Sequence, residues 1–374
     1  MIESAIQELK IDKSDWTPVK FGDVVFEPKE NAKDIYNEGI EHVVGLEHID
    51  TENIHLTRSG KLEESTTFSK KFSKGDVLFG RRRAYLKKAA QASFSGICSG
   101  DITVFRAKEN LMPELLPFIV CNNKFFDYAV KHSAGGLSPR VKFKDLANYE
   151  FLLPPKDQQA QLAELLWAMD EVIEREREVL ERLKTSSQVF FENEIIKSKG
   201  KKIPLAKVLI PKKSKSQVPH TFKKYIGLEH IKSGASHCTE CGDSSEVLAQ
   251  CNIIEEGDLC YSKLRPYLDK AFIAEFEAVS TTELLIYDTK GVSKEYVLNH
   301  FHSRPFIQYV TGKGFGTKMP RVSDKIIGEF EIKVLDDENG LLNKMRGFQV
   351  NVDKLSFAIE SSLSLQKSLI NQIF

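Results

Sequence analysis

A pentapeptide that occurs twice constrains this chain more than any other feature. Gly45-Leu46-Glu47-His48-Ile49 recurs unchanged as Gly227-Leu228-Glu229-His230-Ile231, 182 residues later in a chain of 374. The same offset carries Gly75-Asp76, Arg83, Tyr85-Leu86 and Lys88-Ala89 onto Gly257-Asp258, Arg265, Tyr267-Leu268 and Lys270-Ala271. Seven of the fifteen positions from 75 to 89 are therefore identical to their counterparts. At an offset of 181, Phe125 meets Phe306, Gly135 meets Gly316, and Pro139-Arg140-Val141 meets Pro320-Arg321-Val322. Two diverged copies of one domain account for this pattern. Such a chain suits a ligand with two similar but non-identical sites, and a duplex with a bipartite sequence is the commonest of these.

After each copy the apolar period changes. Beyond Leu152-Leu153-Pro154-Pro155, Leu162, Leu166, Met169, Ile173, Leu180, Leu183 and Phe190 fall at the alternating three-and-four spacing of a coiled-coil face, interrupted at Glu176 and Ser187. The prolines stop a strand, Asp157 can cap a helix, and no glycine or proline follows before Gly200. The pattern predicts one helix of about forty residues, roughly 60 Å long. A similar face follows the second copy through Phe348, Val352, Leu355, Ile359, Leu363, Ile370 and Phe374. Each stripe is too narrow to form a core alone, so the two helices are expected to pack antiparallel as a rod. The alternative is that each helix folds onto its own domain.

Within a copy, short β-rich runs alternate with predicted helices. Val77-Leu78-Phe79, Ile102-Thr103-Val104-Phe105, Leu259-Cys260-Tyr261 and Leu284-Leu285-Ile286-Tyr287 read as strands, and 113–132 and 293–311 as helices. The expected fold class is α/β (α+β): two pseudo-symmetric α/β domains separated by two long helices packed as an antiparallel coiled coil. Its divisions are 1–153, a central helix at 154–198, 199–335, and a C-terminal helix at 336–374.

The formal net charge of zero conceals a displacement of charge along the chain. Residues 157–197 hold ten acidic and five basic groups, which leaves the rest at +5. The excess lies in clusters such as Lys70-Lys71, Arg81-Arg82-Arg83, Lys87-Lys88, Lys212-Lys213 and Lys223-Lys224. Phosphates draw on such clusters, although any single pair of cations is ordinary solvated surface. Arg81, Arg82, Arg83, Tyr85 and Lys88 align with Lys263, Arg265, Tyr267 and Lys270 as cations beside an aromatic, suited to anchoring a backbone. The loops Gly135–Arg140 and Gly314–Arg321, with Lys318, place glycines before a fixed proline and a cation. They can bring Arg140 or Arg321 against a base edge, or form tight turns whose arginine pairs with a carboxylate. Base-reading positions should differ between copies, which favours 53–72, 233–253, Lys142 and Lys144. The identical Glu47-His48 and Glu229-His230 invite an acid/base reading, yet no nucleophile or metal partner is visible, and identity between the copies argues for a shared structural role.

Six cysteines are scattered through the chain, and only Cys238 and Cys241 have metal-like spacing. Cys251 and Cys260 would have to complete a zinc site, but Cys260 sits in a strand-like run and reads as a small core residue. No apolar run reaches the eighteen residues a membrane span needs, and no charged-then-apolar leader opens the sequence. A cytoplasmic protein with no membrane partner is expected.

The order of these parts resembles the specificity subunit of Type I restriction-modification enzymes over nearly the whole chain. It comprises a repeated α/β domain, Leu153-Pro154-Pro155-Lys156-Asp157-Gln158-Gln159 opening a helix, a second α/β domain, and a terminal helix ending Leu369-Ile370-Asn371-Gln372-Ile373-Phe374. The Gly-Leu-Glu-His-Ile and Gly-Asp-Val-Leu-Phe segments and the Pro-Arg loops are also similar. One departure is Lys333-Val334-Leu335-Asp336, which stands where the first copy has Leu-Pro-Pro. The resemblance implies a subunit without chemistry of its own that binds double-stranded DNA, one target-recognition domain per half-site, with the rod setting the spacer. It further implies recruitment of two modification subunits, which carry S-adenosylmethionine and methylate adenine, and of motor-nuclease restriction subunits with ATP and magnesium. The chain agrees by omission, having neither a phosphate-binding loop nor an adenine-methylation motif. The rivals are a stand-alone DNA-modifying enzyme and a pure protein scaffold. The first would act without partners; the second would ignore DNA.

Overall fold

The computed structural model describes residues 11–62 and 67–374. The chain divides into two compact units, one running to Arg177 and taking in Phe357–Phe374, the other being Glu178–Ser356. In the first unit a five-stranded sheet is ordered Val25–Phe26, Ile102–Ala107, Val77–Gly80, Ala89–Ala92, His55–Leu56. A three-stranded sheet joins Val43–Val44, Gly96–Cys98 and Lys70–Phe72. The two central strands are apolar on both faces, so their residues divide alternately between two cores, as the period of two requires. Phe79 and Phe105 enter a core with the helices, while Leu78 and Val104 enter a second core with Ile49, Leu56 and Cys98.

The second unit repeats the central pairings in the same register, in sheets of four and five strands. Val77 pairs with Phe105 and Leu78 with Ala90; their counterparts at offset 182, Leu259 with Tyr287 and Cys260 with Phe272, pair likewise. One core contact has been exchanged. Phe105 packs against Phe143 at 5.9 Å, whereas Tyr287, its counterpart, donates its hydroxyl to Asp324 Oδ1 at 2.6 Å, and Asp324 stands where Phe143 does. A buried phenol needs an acceptor, and the partner position supplies one.

The strands expected from the sequence are present, each extended by one or two residues, but both predicted helices are broken. The stretch 113–132 becomes a short turn at Pro113–Leu115 and helices Leu116–Val120 and Asn123–Lys131, because the Asn122 side chain caps a new helix by accepting from Lys124 N. The stretch 293–311 becomes Lys294–Phe301 and Arg304–Lys313, with Pro305 in the first turn of the second helix, where a proline is tolerated.

The long helices are Lys156–Lys197 and Glu338–Ile373, of 42 and 36 residues. Asp157 lies in the first turn of the former. Within the first unit, Gln366 Nε2 donates to Leu166 O at 3.4 Å, and Leu166, Ile370 and Phe374 share one core with the sheet. Within the second unit, Phe190 meets Phe348 at 5.5 Å and Lys344 meets Glu194 at 3.5 Å. In each unit the two helices therefore run antiparallel. Of the predicted seam, Leu166, Ile173, Ile359 and Ile370 are buried, and Leu162, Met169, Leu180, Leu183, Phe190, Val352, Leu355 and Leu363 are half-buried. Phe374, the last residue of the second face, is buried, and so is Phe191, its counterpart at an offset of 183. Near their C-terminal ends the helices also face a domain, with Phe191 5.0 Å from His300 and Phe374 6.2 Å from Phe151.

Lysines finish both helices, satisfying carbonyls that a helix end leaves without partners. Lys13 donates to Gln372 O at 2.6 Å and Ile373 O at 2.8 Å; Lys333 donates to Ile195 O at 2.7 Å and Ser198 O at 3.0 Å. Lys333 lies in the strand Glu331–Leu335, which pairs with Gly200–Pro204 as Glu150–Leu153 pairs with Thr17–Lys20. Where the first copy uses Pro154-Pro155, the second starts its helix with Asp337, which accepts from Gly340 N at 2.9 Å.

Candidate nucleic-acid interface

The residues identical between copies divide into those that hold the domain together and those left free. His48 and His230 belong to the first group. Gly45 N donates to His48 Nδ1 at 2.9 Å, and Gly227 N to His230 Nδ1 at 3.0 Å, closing the same short turn twice. Lys88 and Lys270, expected at a DNA surface, are tied to that turn, donating to Leu46 O at 2.7 Å and Leu228 O at 2.6 Å. The Gly-Asp turns are structural as well. Asp76, 3% exposed, accepts from Ser73 N and from Arg106 at 2.7 and 2.8 Å; Asp258, 2% exposed, accepts from Glu255 N and from Lys212 at 2.8 and 3.0 Å. The same carboxylate is neutralised from different strands in the two copies.

Arg83 and Arg265 belong to the second group. Each begins a short turn, Ala84–Leu86 or Pro266–Leu268, with left-handed backbone at φ 55° and 49°. Lys87 and Asp269 close these turns in the same region, φ 48° in each. Non-glycine residues seldom sit there, and such strain gathers at functional sites. Among the described residues neither guanidinium has a partner, and in both the Nε is buried with none. Arg81 Nε is buried alike. Tyr85 and Tyr267 leave the same turns 54% and 49% exposed.

The Pro-Arg loops clamp these turns from beneath. Arg83 N donates to Pro139 O at 2.8 Å and Arg265 N to Pro320 O at 2.7 Å. Each loop is a narrow hairpin closed by paired backbone bonds, Ala134 with Arg140 and Phe315 with Arg321, all at 2.9 Å. The two arginines are engaged inside the unit. Arg140 Nε donates to Asp101 Oδ1 at 2.7 Å, and Arg82 reaches Asp101 at 3.3 Å and Ser138 Oγ at 3.2 Å. Arg321 grips Glu283 with Nε and Nη2, the latter at 2.9 Å, and Lys263 stands 3.9 Å from it. Arg140 foremost, then Arg82, holds the Asp101 carboxyl below the usual carboxylate range, and Glu283 raises the Arg321 guanidinium. Of the two roles the sequence left open for the loop arginines, pairing with a carboxylate is the one the structure has. Asp101 and Glu283 are a further matched pair, both acidic at offset 182.

Lys142, Lys144 and Lys318 are exposed, without a partner among the described residues. Free and engaged cations are thus interleaved, and Arg83 and Arg265 stand with an exposed tyrosine on a strained turn, a combination suited to gripping phosphates. The stretch 53–72 falls partly outside the described residues; within it, Arg58 pairs with Asp50 and donates to Glu47 O at 3.0 Å. Of 233–253, Leu248 is 84% exposed and Cys251 is buried. Cys238 packs in the apolar core, where burial pushes its thiol up to about 11, and Cys241 is exposed. Among the described residues no cluster of His, Cys, Asp and Glu is arranged to hold a metal, and no helix is long and apolar enough to cross a membrane.

Comparison with known proteins shows what the chain is similar to. The family described as "Type I restriction modification DNA specificity domain" matches residues 13–185. Over 119 residues the chain is 29% identical to the Type I restriction enzyme EcoDI specificity subunit of Escherichia coli, a match covering 31% of this chain and 26% of that relative. The chain therefore aligns with about a quarter of that relative's length. A solved structure described as "Structural basis underlying complex assembly and conformational transition of the type I R-M system" shares the fold over 96% of both chains, at 17% identity and a TM-score of 0.50. The HsdS subunit from Thermoanaerobacter tengcongensis is 17% identical over 96% of both chains, with a TM-score of 0.42. Residues 13–185 thus match the Type I restriction modification DNA specificity domain, and the second half of the chain repeats the central strand pairing of that domain in the same register.

Proposed function

We propose that this chain is the DNA sequence-recognition subunit of a Type I restriction-modification complex, with each unit binding one half of a bipartite site. The observation that carries the reading is the strained turn built twice, with an Arg83 or Arg265 that has no side-chain partner among the described residues and an exposed tyrosine at the same position of each copy. A phosphate backbone rewards such a turn in the same way at both half-sites, whereas bases do not. Arg81, Lys142, Lys144 and Lys318 add contacts around it. The paired long helices set the spacing between half-sites and receive two modification subunits, and restriction subunits join that assembly. The chain itself performs no reaction. S-adenosylmethionine, ATP and magnesium belong to the partner subunits, and the complex works in the cytoplasm.

The test is adenine methylation of a random DNA pool by this chain co-purified with its modification subunit, followed by sequencing of the modified sites. A split motif that changes on one side only when 53–72 is replaced supports the reading. Complex formation without any sequence-selective modification sinks it and leaves a protein scaffold.

A further inference from the structure

The two hairpins have nearly the same base and different tips. At offset 181, Pro139-Arg140 and Gly135 match Pro320-Arg321 and Gly316, but Leu137 meets Lys318. Leu137 is 98% exposed. A lone exposed leucine is ordinary on a protein surface. This one differs in its mounting: a hairpin closed by two 2.9 Å backbone bonds, pinned by Arg140 to Asp101 and by Pro139 O to Arg83 N, with Gly135 at φ +113°. The loop's arginine is engaged and its base rigid, so what it offers a ligand is the residue at its tip. A shared mount with a variable tip is what two domains reading different sequences require.

We propose that the 134–140 hairpin enters the major groove and that Leu137 reads one base pair of the first half-site by contact with a thymine methyl. Lys318 does the corresponding work in the second unit by donating to a guanine edge. The inference rests on the recognition reading above. The major groove admits a two-stranded ribbon, and the thymine methyl is the apolar feature among its donors and acceptors. The exposed Lys142 and Lys144, beyond the hairpin, supply phosphate contacts on its flank.

The experiment uses the full chain in complex with its modification subunit, once sequencing has given the motif. Affinity is measured for duplexes in which each thymine of the first half-site is replaced singly by uracil, which removes only the methyl. Wild type is expected to lose about fourfold at one position, the worth of one buried methyl group. Leu137→Ala should bind thymine and uracil there equally, and should melt like wild type because its side chain is 98% exposed. If Leu137→Ala keeps the same thymine-to-uracil ratio at every position, or if wild type is indifferent to every thymine methyl, the inference is overturned while the split motif stands. If wild type yields no motif, the recognition reading falls, and this inference with it.

Discussion

Replacing Arg83 or Arg265 with alanine should weaken DNA binding in a way that replacing Arg140 does not. Arg83 and Arg265 have no partner to lose within the protein among the described residues, whereas the Arg140 guanidinium is held by Asp101 at 2.7 Å. A charge-assisted bond to phosphate contributes about 1.5 kcal/mol or more, so each single variant should bind about tenfold more weakly. Each should also lower the slope of log K against log salt by about 0.9, because one fewer counterion is released. Between 50 and 200 mM salt, the gap between wild type and variant should therefore shrink roughly three- to fourfold. The two sites lie in different compact units, so the double variant should show the sum of both effects. Arg140→Ala should leave the salt slope near the wild-type value and act on the hairpin instead. Fluorescence anisotropy with the modification complex over a salt series reads all of these quantities. An Arg83→Ala protein with wild-type melting, affinity and slope would refute the assignment of the strained turn to phosphate.

Three further predictions concern what holds the units together. Asp76→Ala removes the buried carboxylate that holds Arg106, and Asp258→Ala the one that holds Lys212; Arg106 keeps Glu30 and Lys212 keeps Glu255, so each should cost about 1.5–3 kcal/mol, the range for hydrogen bonds to a charged group, as measured by urea denaturation. The units should respond oppositely to pH. Asp170, 2.7 Å away, raises His55, so that pair's contribution is fully present below the usual histidine value near 6.5 and is lost as pH rises through the raised folded value; His55→Gln should abolish the dependence. His300 is buried and pushed down to about 3, so its share of stability is present above 6.5 and falls by about 1.4 kcal/mol per pH unit toward pH 3; His300→Phe should remove that slope in acid unfolding. Leu166→Ala empties a fully buried position shared by helix and sheet and should cost 2–5 kcal/mol, roughly, in the same denaturation assay.

The duplication, the register and the long helices were legible in the order of the residues. An offset of 182 survives in the strand pairing because one inserted residue would turn every strand residue to the opposite face. Forty residues with a three-and-four apolar stripe and no breaker leave the backbone little but helix. The Gly-Asp and Gly-Leu-Glu-His segments were recognisable as shared structure, since copies meant to read different bases have no reason to agree on a base contact. Which cations are free was settled by folding. Lys88, Arg140 and Arg321 look like Arg83 and Arg265 in sequence, yet the first three are matched by Leu46 O, Asp101 and Glu283, each brought close only by folding. The exchange of Phe105–Phe143 for Tyr287–Asp324 was hidden for the same reason, whereas the helix breaks at Asn122 and Pro305 are local, a cap two residues from its donor and a proline in a first turn. A side chain's role depends on what lies within about 3 Å of it, and strand pairing brings together residues that the sequence holds tens of positions apart.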